Sequence, residues 1–134
     1  MTRVLLDTSA YSALRRGHRE LLATVQLAEE IYISSVALGE LYAGFRHGTR
    51  TAENEEILKR FLAAPSVTVA VVGEETAHRY ALILNDLRRT GAPIPTNDIW
   101  IAATAMEHGL RLLTTDSHYE RVRQIAVSRF EAAS

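Results

Sequence analysis

The stretch that decides the fold is RVLLDTS, residues 3–9, in which a short apolar run ends at an acidic residue. Residues 3–6 predict a buried β-strand, and the Ser that closes the stretch falls where a helix is expected to begin. A second acidic residue follows a similar run near the other end of the chain, where LLTT at residues 112–115 precedes Asp116. The sequence therefore predicts two buried strands that are each followed by a carboxylate.

Strand-like and helical segments alternate on either side of these two runs. Short apolar segments predict strands over residues 3–6, 31–33, 67–72, 110–114 and 126–129. Amphipathic segments predict helices over residues 9–14, 19–29, 35–47, 51–63, 74–89, 97–108 and 117–124. Strands that alternate with helices predict an α/β fold with a mostly parallel sheet, in one domain over residues 1–134.

The composition is that of a globular protein and excludes several classes. Of the 134 residues, 47% are hydrophobic and 23% are charged, and the absence of cysteine excludes disulfides and thiolate zinc sites. No apolar stretch reaches the roughly 20 residues of a membrane span, and the chain start does not resemble a signal peptide. We therefore expect a cytoplasmic protein that has no membrane partner.

The charge pattern bears on nucleic-acid binding. The net charge of −1 argues against binding through overall basicity. Of the 15 basic residues 14 are arginine, which suits forked contacts with phosphate but is equally compatible with the codon bias of a GC-rich genome.

Four acidic residues stand where folding alone explains them poorly: Asp7, Glu40, Asp98 and Asp116. Glu40 and Asp98 lie on apolar stripes of their helices, and the other two follow strands whose carboxyl ends meet at one edge of a parallel sheet. Clustered carboxylates repel one another and lose hydration unless a cation compensates them. The pattern indicates a divalent metal held by oxygen ligands, in an enzyme that acts on phosphate esters.

Each acid taken singly also has a structural explanation. Asp7 and Asp116 are equally compatible with N-caps of the helices that follow them, and Asp98 with a first-turn acid that suits the helix dipole. Glu40 has no cap to form, and the positions four residues before and after it hold Val and Gly. The metal hypothesis depends on all four acting together.

Four segments that carry these acids resemble the PIN-domain ribonucleases, and most closely the VapC-type toxins of prokaryotic toxin–antitoxin pairs. They are LLDTS at 5–9, SVALGEL at 35–41, NDIWIAA at 97–103 and LLTTD at 112–116. The resemblance extends from residue 3 to about residue 129. It implies a three-layer PIN-like α/β fold in which helices flank a short, mostly parallel central sheet of four to five strands.

The same resemblance implies the activity. Asp7, Glu40, Asp98 and Asp116 would hold Mg²⁺ or Mn²⁺ and act in catalysis, and Thr114 would join them by bonding an acid or water, as would Thr8 or Ser9. The protein would be an endoribonuclease that hydrolyses RNA phosphodiester bonds, forms a homodimer and is inhibited by a cognate antitoxin. Members of the family often carry a further acid two residues after the last Asp, where this chain has His118. We expect His118 to be a solvated loop residue.

The aromatic, histidine, arginine and large apolar residues outside the acidic set are explained mainly by packing and solvation. We expect Trp100 and Tyr42 to pack against neighbouring side chains rather than to stack on bases. We expect the remaining histidines to be surface or cap residues rather than ligands: His18, His47, His78 and His108. Five arginines that flank predicted turns are candidates for positioning RNA, although a solvated charge is the favoured interpretation of each taken singly: Arg15, Arg16, Arg46, Arg88 and Arg89. Seven large apolar residues on the helices between 35 and 63 are compatible either with a partner groove or with self-packing: Leu38, Tyr42, Phe45, Ile57, Leu58, Phe61 and Leu62.

Competing functions find less support. A receiver domain needs a lysine late in the chain, whereas the only lysine is Lys59. A haloacid-dehalogenase-type phosphatase needs two Asp separated by one residue after the first strand, whereas Asp7 is followed by Thr8 and Ser9. A catalytically silent PIN-like binding module is the alternative that stays open.

Overall fold

A computed structural model of the chain describes residues 2–132; residues 1, 133 and 134 of the expected domain lie outside the described residues. The strands are β1 Arg3–Leu6, β2 Glu30–Ser34, β3 Val67–Ala70, β4 Arg111–Thr114 and β5 Val127–Arg129. The helices are α1 Thr8–Arg15, α2 Arg19–Leu27, α3 Ser35–His47, α4 Thr51–Leu62, α5 Glu74–Thr90 and α6 Thr96–His108, with a 3₁₀ helix at Ser117–Arg121. Within residues 2–132, no helix is both long enough and apolar enough to cross a membrane.

The five strands form one parallel sheet in the order β3-β2-β1-β4-β5. Leu5 of β1 is paired with Tyr32 of β2 on one side and with Leu112 of β4 on the other. The chain continues from β1 to β2 and β3 on one side and returns to β4 and β5 on the other. The strand order therefore reverses between β1 and β4, which is where open parallel sheets bind ligands.

Alternate side chains of the central strands face two separate cores. Leu5, Ile33 and Leu112 pack on one face with residues of α3, α5 and α6. Val4 and Leu6 pack on the other face with residues of α1 and α2. This period-two pattern confirms the predicted α/β fold with three layers, and the sheet is wholly parallel.

The helix ends follow the expected capping chemistry. The Ser34 hydroxyl accepts a hydrogen bond from the Ala37 amide at 3.0 Å and so caps α3. Gly109 ends α6 with a φ of 63°, a left-handed conformation that favours glycine. These caps set where α3 and α6 begin or end, and both helices carry site residues.

Three predicted elements are at least two residues longer than the observed ones. The helix expected over residues 19–29 ends at Leu27, because Ala28 is already extended. The helix expected over residues 117–124 is a 3₁₀ helix that ends at Arg121. Val122 is extended, and residues 123 and 124 form a turn in which both side chains donate to the buried carboxylate of Asp86 on α5. The strand expected over residues 67–72 ends at Ala70, because its neighbour β2 ends at Ser34.

Candidate metal centre

The four predicted acidic residues come together at the carboxyl edge of the sheet, beside the reversal between β1 and β4. They line one cavity of about 270 Å³, together with Thr8, Ser9, Ile101 and Tyr119. Asp7 arrives from β1 and Asp116 from β4, while Glu40 comes from within α3 and Asp98 from the first turn of α6. The fold therefore converts four acids far apart in sequence into one cluster.

Asp7 is the most deeply buried of the four, with 3% of its surface exposed. Its Oδ1 accepts hydrogen bonds from the Ala10 amide and the Ser9 hydroxyl, both at 2.8 Å, and its Oδ2 accepts one from Thr114 at 2.6 Å. Burial raises the pKa of Asp7 to about 6, although these hydrogen bonds oppose the shift. Asp7 is thus both the N-cap of α1 and a member of the acidic cluster.

The buried residue Thr114 connects Asp7 to Asp116. Its buried hydroxyl donates to Asp7 and accepts a hydrogen bond from the Asp116 amide at 2.9 Å. Asp116 in turn accepts a hydrogen bond from the His118 amide at 2.9 Å and caps the 3₁₀ helix. The N-cap interpretation of Asp116 is therefore correct, and it is compatible with a place in the cluster.

Replacing Thr114 by Val tests this connection. The variant keeps the shape but leaves the partly buried Asp116 amide without this acceptor and removes one hydrogen bond from the buried Asp7 carboxylate, so we expect the free energy of unfolding to fall by about 1–3 kcal/mol. Urea unfolding measures the change. Thr104→Val is the matched control, because Thr104 is equally buried but donates only to the Trp100 carbonyl of its own helix. Equal losses in both variants would contradict a special role for Thr114.

Asp98 is held by two residues of the 3₁₀ helix. The Tyr119 hydroxyl lies 3.2 Å from Oδ1 and donates to it, and His118 Nδ1 lies 3.0 Å from Oδ2. Burial is the main cause that raises the pKa of Asp98. Burial and the neighbouring carboxylates also raise the pKa of Tyr119, so its hydroxyl stays protonated and donates. Tyr119 was not predicted from the sequence, in which its one signal is an aromatic residue three positions after a strand-end acid.

The prediction that His118 is a solvated loop residue is wrong. Its Nδ1 lies between Asp98 Oδ2 at 3.0 Å and Asp116 Oδ1 at 3.1 Å, and 38% of its side chain is exposed. The turn that Asp116 caps brings residue 118 back over the start of α6. His118 therefore belongs to the acidic cluster.

Glu40 has partners from outside its own helix. Its Oε1 accepts a hydrogen bond from the Thr8 hydroxyl, and its Oε2 accepts one from the Asn97 amide at 3.2 Å. These contacts join α3 to α1 and α6, and they orient a half-buried carboxylate toward the cavity. Asn97 was not singled out from the sequence, because only the fold shows that it faces Glu40.

The cluster has little positive charge of its own. Within residues 2–132, no Arg or Lys nitrogen lies within 4.0 Å of a carboxylate oxygen of Asp7, Glu40, Asp98 or Asp116. Four carboxylates that share one cavity without such a partner favour a bound cation. The donors present therefore fit a divalent ion such as Mg²⁺ or Mn²⁺.

The predicted packing roles agree with the contacts. Trp100 stacks on Tyr80 with ring centroids 4.0 Å apart, and Tyr42 meets Phe45 edge-on. Of the histidines, His18 caps α2 from a buried position, His47 and His78 are exposed, and His108 ends α6 against Tyr32. The seven apolar residues between 35 and 63 are all buried or partly buried, which favours self-packing.

The candidate RNA-positioning arginines divide into two groups. Arg46 pairs with Glu55, and Arg89 pairs with Asp86. Arg15, Arg16 and Arg88 are exposed, and they form no ion pair within the part of the chain that the structure describes. The second group has guanidinium groups available for phosphate.

Comparison with known proteins places this site in a family. The model of the PIN domain matches residues 4–125. The chain is 33% identical over 128 residues to Ribonuclease VapC1 of Rickettsia felis, which covers 92% of this chain and 93% of that protein.

Two solved structures share the fold. VapBC2 from Rickettsia felis, bound to a promoter DNA fragment, superposes with a TM-score of 0.87 at 21% identity, over 97% of this chain and 100% of that one. VapBC-5 from Mycobacterium tuberculosis, a member of the VapBC family of toxin–antitoxin systems, superposes with a TM-score of 0.78 at 23% identity, again over 97% and 100%. The chain therefore belongs to the PIN domain family and, within it, to the VapC ribonuclease group.

Proposed function

We propose that this chain is an endoribonuclease toxin that hydrolyses RNA phosphodiester bonds with Mg²⁺ or Mn²⁺ and is inhibited by a cognate antitoxin. One observation carries the catalytic part: four carboxylates share one cavity, and no Arg or Lys of residues 2–132 is paired with them. The family supports this reaction, because relatives matched over more than nine-tenths of the chain are named ribonucleases.

Asp7, Glu40, Asp98 and Asp116 would hold the ion. When bound, a divalent ion neutralises charge on a phosphoryl oxygen and lowers the pKa of water, which are the two needs of phosphodiester hydrolysis. Thr114 and Ser9 orient Asp7, and Thr8 and Asn97 orient Glu40, so these two carboxylates are held in place before substrate arrives.

The cluster also controls access by RNA. Without a cation, the carboxylates repel the negatively charged phosphates of the RNA backbone. When RNA binds, the exposed Arg15, Arg16 and Arg88 would contact its phosphates outside the cavity. We therefore expect tight RNA binding to need both the ion and these side chains.

The assembly is part of the proposal. The neighbours in fold belong to VapBC toxin–antitoxin systems, which supports a cognate antitoxin that blocks the cavity. A homodimer and a cytoplasmic location follow from the family resemblance. We also infer a single domain, because one continuous sheet extends from residue 3 to residue 129.

Mapping of RNA ends tests the reaction. Purified protein is incubated with total cellular RNA and Mg²⁺ or Mn²⁺, and the new ends are sequenced, with and without the product of the neighbouring gene. We expect discrete internal cuts that the neighbouring product suppresses. Shortening from RNA ends alone, or no cleavage under any of these conditions, would contradict an endoribonuclease.

The alternative is a catalytically silent module that keeps the fold in order to bind a partner. Calorimetry separates the two, because a silent module has no reason to bind a divalent ion at the carboxylates. We expect wild-type protein to bind one and the Asp7→Asn variant to bind it weakly.

A further inference from the structure

We propose that His118 is a nitrogen ligand of this metal centre and shifts its preference from Mg²⁺ toward Mn²⁺. The inference rests on the proposed function, since it names the ion that the same site selects. It departs from the all-carboxylate site that the family resemblance implied, in which an acid often stands where this chain has His118.

The donor atoms already have the spacing of adjacent ligands. His118 Nδ1 lies 3.0 Å from Asp98 Oδ2 and 3.1 Å from Asp116 Oδ1, and one donor atom from each of the three residues lies within 4.8 Å of the other two. In an octahedral site with metal–ligand distances of about 2.1 Å, neighbouring ligand atoms are about 3 Å apart. The imidazole therefore occupies a ligand position relative to both carboxylates.

The ring is held there by its surroundings. The His118 amide donates to Asp116 Oδ1 at 2.9 Å, which fixes the backbone at residue 118. The next residue, Tyr119, is buried and donates to Asp98 Oδ1, so Asp98 Oδ2 is the oxygen that faces the imidazole. The exposed part of the ring, 38% of the side chain, leaves the position open to solvent and to an incoming ion.

A nitrogen donor changes which ions bind well. Mg²⁺ strongly prefers oxygen ligands and keeps several waters. Imidazole is a common ligand of divalent transition metals, whose affinities increase from Mn²⁺ to Cu²⁺. With His118 in the ligand set, Mn²⁺ gains a bond that Mg²⁺ does not use. The affinity for Mn²⁺ therefore rises relative to the affinity for Mg²⁺.

A different role for His118 makes the opposite prediction. If the ring served only as a hydrogen-bonding counter-ion of Asp98 and Asp116, it would compete with the metal. Its removal would then strengthen the binding of Mg²⁺ and Mn²⁺ alike. Metal affinities therefore distinguish a ligand from a competitor.

Electron spin-echo envelope modulation on the Mn²⁺-loaded protein tests the bond directly. We expect modulation from a coordinated ¹⁴N nucleus in wild-type protein and its loss in His118→Asp, which restores an oxygen donor. His78→Ala is the matched control, since His78 is exposed on α5 and its removal should leave the signal unchanged. Bound Mn²⁺ without ¹⁴N modulation in wild-type protein would overturn the proposal.

Calorimetry supplies the second readout. We expect the ratio of the Mg²⁺ to the Mn²⁺ dissociation constant to fall at least about tenfold in His118→Asp relative to wild type. An unchanged ratio, or tighter binding of both ions in His118→Ala, would remove His118 from the ligand set. Failure of wild-type protein to bind either ion would instead contradict the proposed function, so the two claims fail separately.

Discussion

Replacing Asp7, Asp98 or Asp116 by Asn is expected to lower the rate of RNA cleavage at least about 10²-fold, which corresponds to about 2.7 kcal/mol of transition-state stabilisation. Each change keeps the shape of the side chain and removes one negative charge from the cluster that would hold the ion. Single-turnover cleavage of one defined RNA at saturating protein measures the effect without a contribution from product release.

The controls separate catalysis from folding. Glu56→Gln removes an equal charge from an exposed position on α4 and should leave cleavage unchanged. Thermal unfolding in EDTA should show that the three Asn variants are folded and no less stable than wild type, because like-charge repulsion is relieved. Cleavage at the wild-type rate in a folded Asp→Asn variant would exclude that residue from the site.

The stability of the metal-free protein is expected to fall as the pH rises from about 4 to about 6. In the unfolded chain Asp7 loses its proton near its ordinary pKa of 3.8, whereas in the folded protein its pKa is about 6. The folded state therefore binds more protons across this interval, and the free energy of unfolding decreases with pH by up to about 3 kcal/mol. The destabilisation is complete about one pH unit above the folded pKa, near pH 7.

The Asp7→Asn variant isolates this contribution from those of the other acids. Urea unfolding in EDTA at several pH values should show wild type and variant differing little near pH 4, and the variant increasingly more stable toward pH 7. A difference between the two proteins that does not vary with pH would show that Asp7 titrates normally.

The hydrophobic pattern alone was enough to predict an α/β fold with a mostly parallel sheet, whereas the three-layer arrangement was predicted from the family resemblance. Leu5 and Leu112 alternate with Leu6 and Leu113 toward the two cores, and buried strands of this kind leave a clear signal over a few residues. The placement of Asp7 and Asp116 after the carboxyl ends of strands likewise predicted that they share one edge of the sheet. The structure brings the four acids together in one cavity, whereas the sequence alone could only suggest that they lie near one another.

Contacts that depend on the path between elements could not be predicted. His118 reaches Asp98 because Asp116 caps a 3₁₀ turn, and a periodic pattern does not distinguish that turn from the start of an α-helix. The turn that follows this helix is bound to Asp86, which lies 37 residues from Arg123 in sequence. Hydrogen bonds of this kind join residues that are far apart in sequence, so local helix and strand propensities do not predict them.

The competing interpretations of Asp7 and Asp116 as caps or as site residues are not exclusive. Both side chains cap the helix that follows, and both line the acidic cavity. A cap fixes the orientation of a carboxylate at the end of a strand, which is also what a metal ligand requires. The same hydrogen bonds therefore serve folding and the site.

Cleavage as a function of metal concentration tests the central claim most directly. Antitoxin-free protein is first stripped with EDTA, and cleavage of a defined RNA is then followed as Mn²⁺ is added. We predict no internal cuts in EDTA, and activity that rises with the same midpoint as the calorimetric binding curve and is lost in Asp116→Asn. Undiminished cleavage in EDTA would contradict a carboxylate-bound ion as the source of the activity.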